Sequence, residues 1–202
     1  MPPSAKRPMI RSQRRTEKIR DVLAKRQPDL TIVMENIHDP HNVSAVLRSC
    51  DAVGMLRVEL LYTVEKFPRI GRKSSSSANK WLEWRKHTSV DACYATLREE
   101  GFTIVATHLG VRTASLYDLD LTKRVALVFG NEHRGVSDEA AQKADGNFQI
   151  PMVGMIQSLN VSVACAVSLY EVLRQRLMKG DLARPKLSDE SLATLFDDWI
   201  AR

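Results

Sequence analysis

The chain has 202 residues, 44% hydrophobic and 27% charged, which describes one soluble globular domain and leaves too little chain for two. Its net charge of +6 is concentrated: residues 1–26 hold nine Lys or Arg against two acids, and residues 66–86 hold seven against one. No apolar run approaches the roughly 18 residues of a membrane span, and none follows the basic N-terminus as a secretory signal requires, so a cytoplasmic protein without membrane attachment is expected.

Two basic patches on an otherwise balanced body point to a polyanionic partner. Neither patch carries the bulky apolar face of a membrane-lying helix, which favours nucleic acid. A solvated tail is the alternative reading of the first patch.

In chain order, residues 1–11 are basic and Pro-rich and are expected to lack fixed structure. Residues 12–26 show helical periodicity, with Ile19, Val22 and Leu23 on one face and basic residues on the other. Residues 30–35 (LTIVME) read as a strand. Asp39-Pro40 is a helix start, Asp39 capping and Pro40 in the first helical position. The helix that follows should bury Val43, Val46, Leu47 and Cys50 and end at Gly54. Residues 57–61 form a second strand, 66–79 a basic loop, 81–87 a weakly alternating strand, and 89–100 a helix stopped by Gly101. Residues 102–107, 125–129 and 147–150 are three further apolar strands, and 137–144 a short helix. A long helix is expected from near Ser158 to about Met178, and an amphipathic one over 188–200 with Leu192, Leu195, Phe196 and Ile200 together.

Strands apolar on both faces belong to a mostly parallel sheet covered by helices, an α/β fold. Cys50, Cys93 and Cys165 are few, scattered and set among apolar or small neighbours, so they read as buried thiols in a reducing compartment.

Ligands of open α/β sheets bind beyond the C-terminal strand ends. Three such ends are rich in Gly, Asn, Glu and Ser: residues 35–42 (ENIHDPHN), 129–137 (FGNEHRGVS) and 150–160 (IPMVGMIQSLN). None is GxGxxG and none is a P-loop, so a standard dinucleotide site and ATP hydrolysis lack support. His38 and His41 have no third and fourth donor nearby, and no metal is expected. His41, Ser44 and Arg48 share one helix face through their spacing of three and four. Arg48 is either functional or an ordinary surface or ion-paired arginine. Residues 161–168 are small or apolar on every side, a pattern that needs burial all round, against a second subunit or within one core.

Residues 36–54, 127–137 and 150–171 resemble the motifs of the SPOUT methyltransferases, and PHNVSAVLRSCDAVG and IPMVGMIQSLNVSVA are long enough to be specific. The resemblance covers about residues 18–178. It extends to the Arg26–Thr31 entry and is nearest to the branch that methylates the ribose 2′-hydroxyl of guanosine 18 in the D-loop of tRNA.

The resemblance implies a deep C-terminal trefoil knot, a homodimer, and S-adenosylmethionine held largely by backbone groups. The positions that match are Thr107, His108 and Leu109, then Gly130 and Glu132, then Ile150, Met152, Ser158 and Leu159. The catalytic arginine of the family falls on Arg48, with Asn36, Asn42 and Asn160 as motif asparagines. Arg48, Asn42, Glu132, Ser158 and Asn160 are thus the expected catalytic set. Arg14, Arg15 and Arg20 with Lys66, Arg69, Arg72 and Lys73 are expected to grip RNA phosphates.

In this reading residues 1–27 are an RNA-binding extension, 28–178 the methyltransferase domain and 179–202 a C-terminal helical extension. Relatives often have Gly-Gln-Glu-Lys-Thr-Gly where this chain has Gly130-Asn131-Glu132-His133-Arg134-Gly135, which leaves the roles of His133 and Arg134 open. The same motifs would serve a 2′-O-methyltransferase of ribosomal RNA or of another tRNA position. A non-catalytic RNA-binding protein of this fold is the alternative of a different class.

Overall fold

The computed structural model describes residues 13–68, 78–110 and 113–202. Residues 1–12 and most of the basic loop, with Arg69, Arg72 and Lys73, lie outside them. Seven strands form one sheet: β1 (Leu30–Glu35), β2 (Arg57–Leu61), β3 (Glu83–His87), β4 (Thr103–Thr107), β5 (Thr113–Ser115), β6 (Val125–Phe129) and β7 (Gly146–Gln149). Their order is β3-β2-β1-β6-β4-β7-β5, and every neighbouring pair is parallel. The α/β sheet expected from apolar strand texture is therefore present.

The helices are α1 (Gln13–Leu23), α2 (Pro40–Ala52), α3 (Val90–Glu99), α4 (Asp138–Lys143), α5 (Val161–Met178) and α6 (Asp189–Ala201). Strand side chains alternate between two cores. Ile32, Met34, Leu127 and Phe129 join Val43, Val46, Leu47 and Cys50 of α2 and Cys165, Leu169 and Val172 of α5. Val33, Ala126 and Val128 face Val90, Cys93, Tyr94 and Leu97 of α3 and Ala140 and Ala141 of α4. Each fully buried Val or Leu in such a core contributes roughly 1.5–3 kcal/mol of transfer free energy. All three cysteines are free and buried, as their neighbours implied.

A third cluster joins the chain ends. Ile19 and Leu23 of α1 meet Trp199, Leu192, Leu195, Phe196 and Ile200 of α6, with Trp81 against the Trp199 ring at 4.8 Å. The amphipathic last helix thus covers the apolar stripe of the first.

Several boundaries differ from expectation. The long helix starts at Val161, a turn later than Ser158, because Asn160 supplies the cap: its Oδ1 accepts from the Ser162 N–H at 2.9 Å. Strand β5 has no apolar pattern of its own and forms on the open edge of β7. Helix α5 is not buried all round in the single chain, since Val163, Tyr170 and Leu177 are exposed. Among the described residues, no helix is long and apolar enough to cross a membrane.

Candidate active site

Four strand ends meet in one cleft of about 1280 Å³. It is bounded by residues 38–42 after β1, 107–109 after β4, 129–136 after β6 and 148–161 after β7. Single small-molecule pockets run to about 1,000 Å³, so there is room for a cofactor and part of a nucleotide.

The start of α2 is set by Asp39, whose carboxylate accepts from the His41 N–H at 2.8 Å, and by Pro40, which needs no amide partner there. Glu132 comes over from the β6 loop to the same turn. Its Oε1 accepts from the Asp39 N–H and the Asn42 Nδ2 at 3.1 Å each. Its Oε2 accepts from the His38 N–H at 3.3 Å and lies 3.2 Å from His38 Nδ1. Burial pushes this carboxyl up, but the Asn42 amide and the backbone N–H groups outweigh it and hold the group below its ordinary value. Such a carboxylate stays charged at neutral pH and acts as an anchor rather than a proton acceptor.

Asn42 continues the connection. Its Oδ1 accepts from the Asn160 Nδ2 at 3.0 Å, while the Asn160 Oδ1 caps α5. One line of hydrogen bonds therefore ties the β6 loop, α2 and α5 across the cleft.

The wall after β6 is a tight loop. Asn131 and Gly135 exchange backbone hydrogen bonds of 3.0 and 2.8 Å, which brings Gly135 onto Gly130. A Cβ on Gly130 would lie 2.1 Å from Gly135 and Val136 backbone atoms, so only glycine fits. Asn131 is a functional-site residue that the sequence reading passed over. Its Oδ1 accepts from the His133 and Arg134 N–H groups at 3.0 and 3.2 Å. An Asn between Gly130 and a second loop glycine was the available signal, since Asn side chains commonly close such turns.

Thr107, His108, Leu109, Gly130, Glu132, Ile150, Met152, Ser158 and Leu159 all line this cleft, as do Asn42 and Asn160. Arg48 does not. It is exposed on α2, six residues beyond Asn42, and no hydrogen bond or ion pair holds it among the described residues. Asn36 lies behind the cleft, bonded to the turn after β2. Arg14, Arg15, Arg20 and Lys66 are exposed, with Arg20 over the Phe196 ring at 4.9 Å. Among the described residues no group of three or more His, Cys, Asp or Glu is placed to hold a metal ion.

The SpoU rRNA Methylase family model matches residues 29–170, a span that takes in all four walls of the cleft. The chain belongs to the SpoU methylase family. This SpoU methylase is 44% identical over 192 residues to the tRNA (guanosine(18)-2′-O)-methyltransferase of Thermus thermophilus, covering 95% of this chain and 98% of that one. Its fold is similar to the crystal structure of the Aquifex aeolicus TrmH/SpoU tRNA modifying enzyme, with a TM-score of 0.86, 40% identity and coverage of 93% and 95%. It is also similar to the SpoU methyltransferase AviRb of Streptomyces viridochromogenes in complex with AdoMet. There the TM-score is 0.65 at 27% identity, over 78% of this chain and 61% of that one.

Proposed function

We propose that this SpoU methylase transfers a methyl group from S-adenosylmethionine to the ribose 2′-hydroxyl of a tRNA guanosine, at position 18, and that it does so as a homodimer in the cytoplasm. The observation that carries the reading is the single cleft in which Gly130, Glu132, Asn42 and Asn160 converge from three separate sequence motifs. The near full-length match to the Thermus thermophilus enzyme supports guanosine 18 over another nucleotide.

The cleft suits the cofactor. Leu109, Ile150, Met152 and Leu159 offer apolar walls to an adenine, and the backbone around Gly130 and Thr107 offers groups to hydrogen-bond its edge and the ribose. S-adenosylmethionine would supply a methyl already activated on a sulfonium, so no metal is needed for the transfer. Glu132 keeps the start of α2 in register with the β6 loop, and Asn160 does the same for the start of α5. Ser158 and Asn160 would orient the ribose. The knot implied by the family belongs to this reading, which is supported by residues between 150 and 160 lining the same cleft as the loops after β4 and β6 before the chain enters α5.

Arg48 would clamp the phosphate beside the target and stabilise the oxygen as its proton leaves. A guanidinium gives up its proton too reluctantly to be a good base at neutral pH, whereas its fork binds two oxygens at once. Because Arg48 lies off the cleft of its own chain, this role needs the RNA or a second copy to span the gap. The outward face of α5, which packs on α2, offers the place for that copy through Val163, Tyr170 and Leu177.

The test is transfer of labelled methyl from S-adenosylmethionine to an unmodified tRNA transcript, followed by nuclease mapping. Label at the 2′-oxygen of guanosine 18 is expected. Label elsewhere would refute the assigned position, and none on any RNA would refute the reading. Arg48→Lys should lose most turnover; near-full turnover with unchanged RNA binding would remove the fork-shaped contact from the mechanism.

A further inference from the structure

Behind the cleft, Asn36 connects two segments with different tasks. It follows β1 with a φ of +53°, the left-handed region that Asn tolerates better than most residues. In that conformation its side chain reaches the turn after β2. The Oδ1 accepts from three successive amides, those of Thr63 and Val64 at 3.0 Å and Glu65 at 3.1 Å, and the Nδ2 donates to Thr63 Oγ1 at 3.1 Å. This turn is the root of the basic segment that begins at Lys66.

The backbone carbonyl of Asn36 points the other way and accepts from the Asn131 Nδ2 at 2.9 Å. Asn131 in turn closes the β6 loop through His133, Arg134 and Gly135. Both asparagines are 6% exposed, so water competes little for these bonds. A second tie runs outside, where Arg134 pairs with Glu65 at 2.9 Å. That pair is partly exposed and contributes little by itself.

We propose that Asn36 and Asn131 are positioning residues that couple the root of the RNA-gripping segment to the cofactor cleft, so that tRNA and cofactor bind cooperatively. The inference rests on the reading that this chain methylates tRNA with S-adenosylmethionine. Holding Lys66, the residue directly after the turn, on a phosphate fixes the turn at 63–65. A fixed turn holds the Asn36 side chain, whose left-handed backbone sets the direction of its carbonyl. That carbonyl locates Asn131 and with it the cleft wall at 130–135. Linkage makes the effect reciprocal, so a filled cleft also favours the RNA-binding arrangement of the turn.

The experiment is calorimetric titration of S-adenosylhomocysteine into the full chain, alone and with a saturating unmodified tRNA transcript. For the natural sequence, tRNA should tighten binding about fivefold or more, the lower range of ordinary allosteric coupling. Asn36→Gly keeps a backbone free to adopt positive φ but has no side-chain oxygen. It should reduce that ratio to within about twofold of unity, while Asn36→Asp, which keeps the acceptor, retains it. Asn131→Asp turns a carboxylate oxygen toward the Asn36 carbonyl and should also abolish the ratio. A merely structural role would lower the melting temperature and cofactor affinity equally with and without tRNA. If Asn36→Gly does not fold, Asn131→Asp carries the test. A ratio near unity in the natural sequence, or an unchanged ratio in a folded Asn36→Gly or Asn131→Asp protein, would overturn the coupling. Failure of the tRNA reading is seen separately, as absence of label on tRNA in the transfer assay.

Discussion

An ideal Cβ on Gly130 would sit 2.1 Å from the carbonyl of Gly135 and the amide of Val136, atoms that cannot rotate away as a side chain would. Gly130→Ala should therefore open the loop that Asn131 and Gly135 close, and spoil the cleft wall. The expected result is a loss of S-adenosylhomocysteine affinity of about tenfold or more, equivalent to about 1.4 kcal/mol, measured by calorimetry. Unchanged affinity in a folded variant would show that this loop does not form the cofactor wall. Gly130 and Glu132 were readable as cleft residues because strand ends rich in Gly and acids face ligand clefts in open sheets, while their part in holding a cofactor is what the resemblance implies. The work of Asn36 and Asn131 was not, because it depends on partners some thirty and a hundred residues apart that only the folded sheet brings together. Arg48 was legible by element and not by distance from the cleft. Helix spacing placed it on the right element, yet spacing says nothing about how far along α2 the cleft extends.

At the scale of elements, the edge of the sheet is held by charge. Glu59 on β2 is fully buried and meets Arg57, Arg85 and His87, while Arg57 and Arg85 also reach Glu100, just past α3. Burial pushes the Glu59 carboxyl up, but the bonds from His87 and Arg85 and the nearby guanidinium charges prevail and hold it below its ordinary value. Strand β3 carries only the weak alternation EWRKH, so this network rather than apolar pattern secures it as the edge. Glu59→Gln leaves the half-buried Arg57 and Arg85 short of a charged partner and should destabilise the fold by roughly 3–5 kcal/mol at neutral pH. Because the folded-state pKa is depressed, the stabilisation is present above the ordinary Glu value of about 4.3 and fades as pH falls through the folded value. Thermal melts of both proteins should therefore converge as the pH drops below about 4. A constant difference down to acid pH would assign the loss to packing. The apolar strands and capped helices were legible because their signals are local; β5 and the start of α5 were not, since one needs the edge of β7 and the other is set by Asn160, two residues beyond the expected start.

At the scale of the whole molecule, two surfaces remain to be satisfied. The first is the outer seam of α5, where Val163, Tyr170 and Leu177 recur every seven residues and stay 47%, 54% and 59% exposed. A helix face of this kind marks an interaction surface, and a second copy seated there is one of the two ways in which the proposed role of Arg48 can be completed, RNA being the other. Tyr170→Asp should convert a dimer into the 22.8 kDa monomer in light scattering and abolish methyl transfer. A natural chain that already runs as a monomer would remove the dimer from the mechanism.

The second surface is electrostatic. Exposed Arg14, Arg15 and Arg20 lie along α1, whose position is fixed by α6 through the Trp199 cluster and by the Arg20 stack on Phe196. A basic helix docked on the body presents its charges in one place, whereas a free tail would average them over many. Replacing all three with Ala should weaken tRNA binding and lower the slope of log affinity against log salt by roughly two to three, since each lost phosphate contact removes about 0.7–0.9. Binding of S-adenosylhomocysteine without RNA should be unaffected, because α1 and the cleft do not share residues. A weaker affinity with an unchanged slope would mean that the substitutions act by loosening α1 from α6, and the phosphate grip would then have to lie elsewhere on the chain.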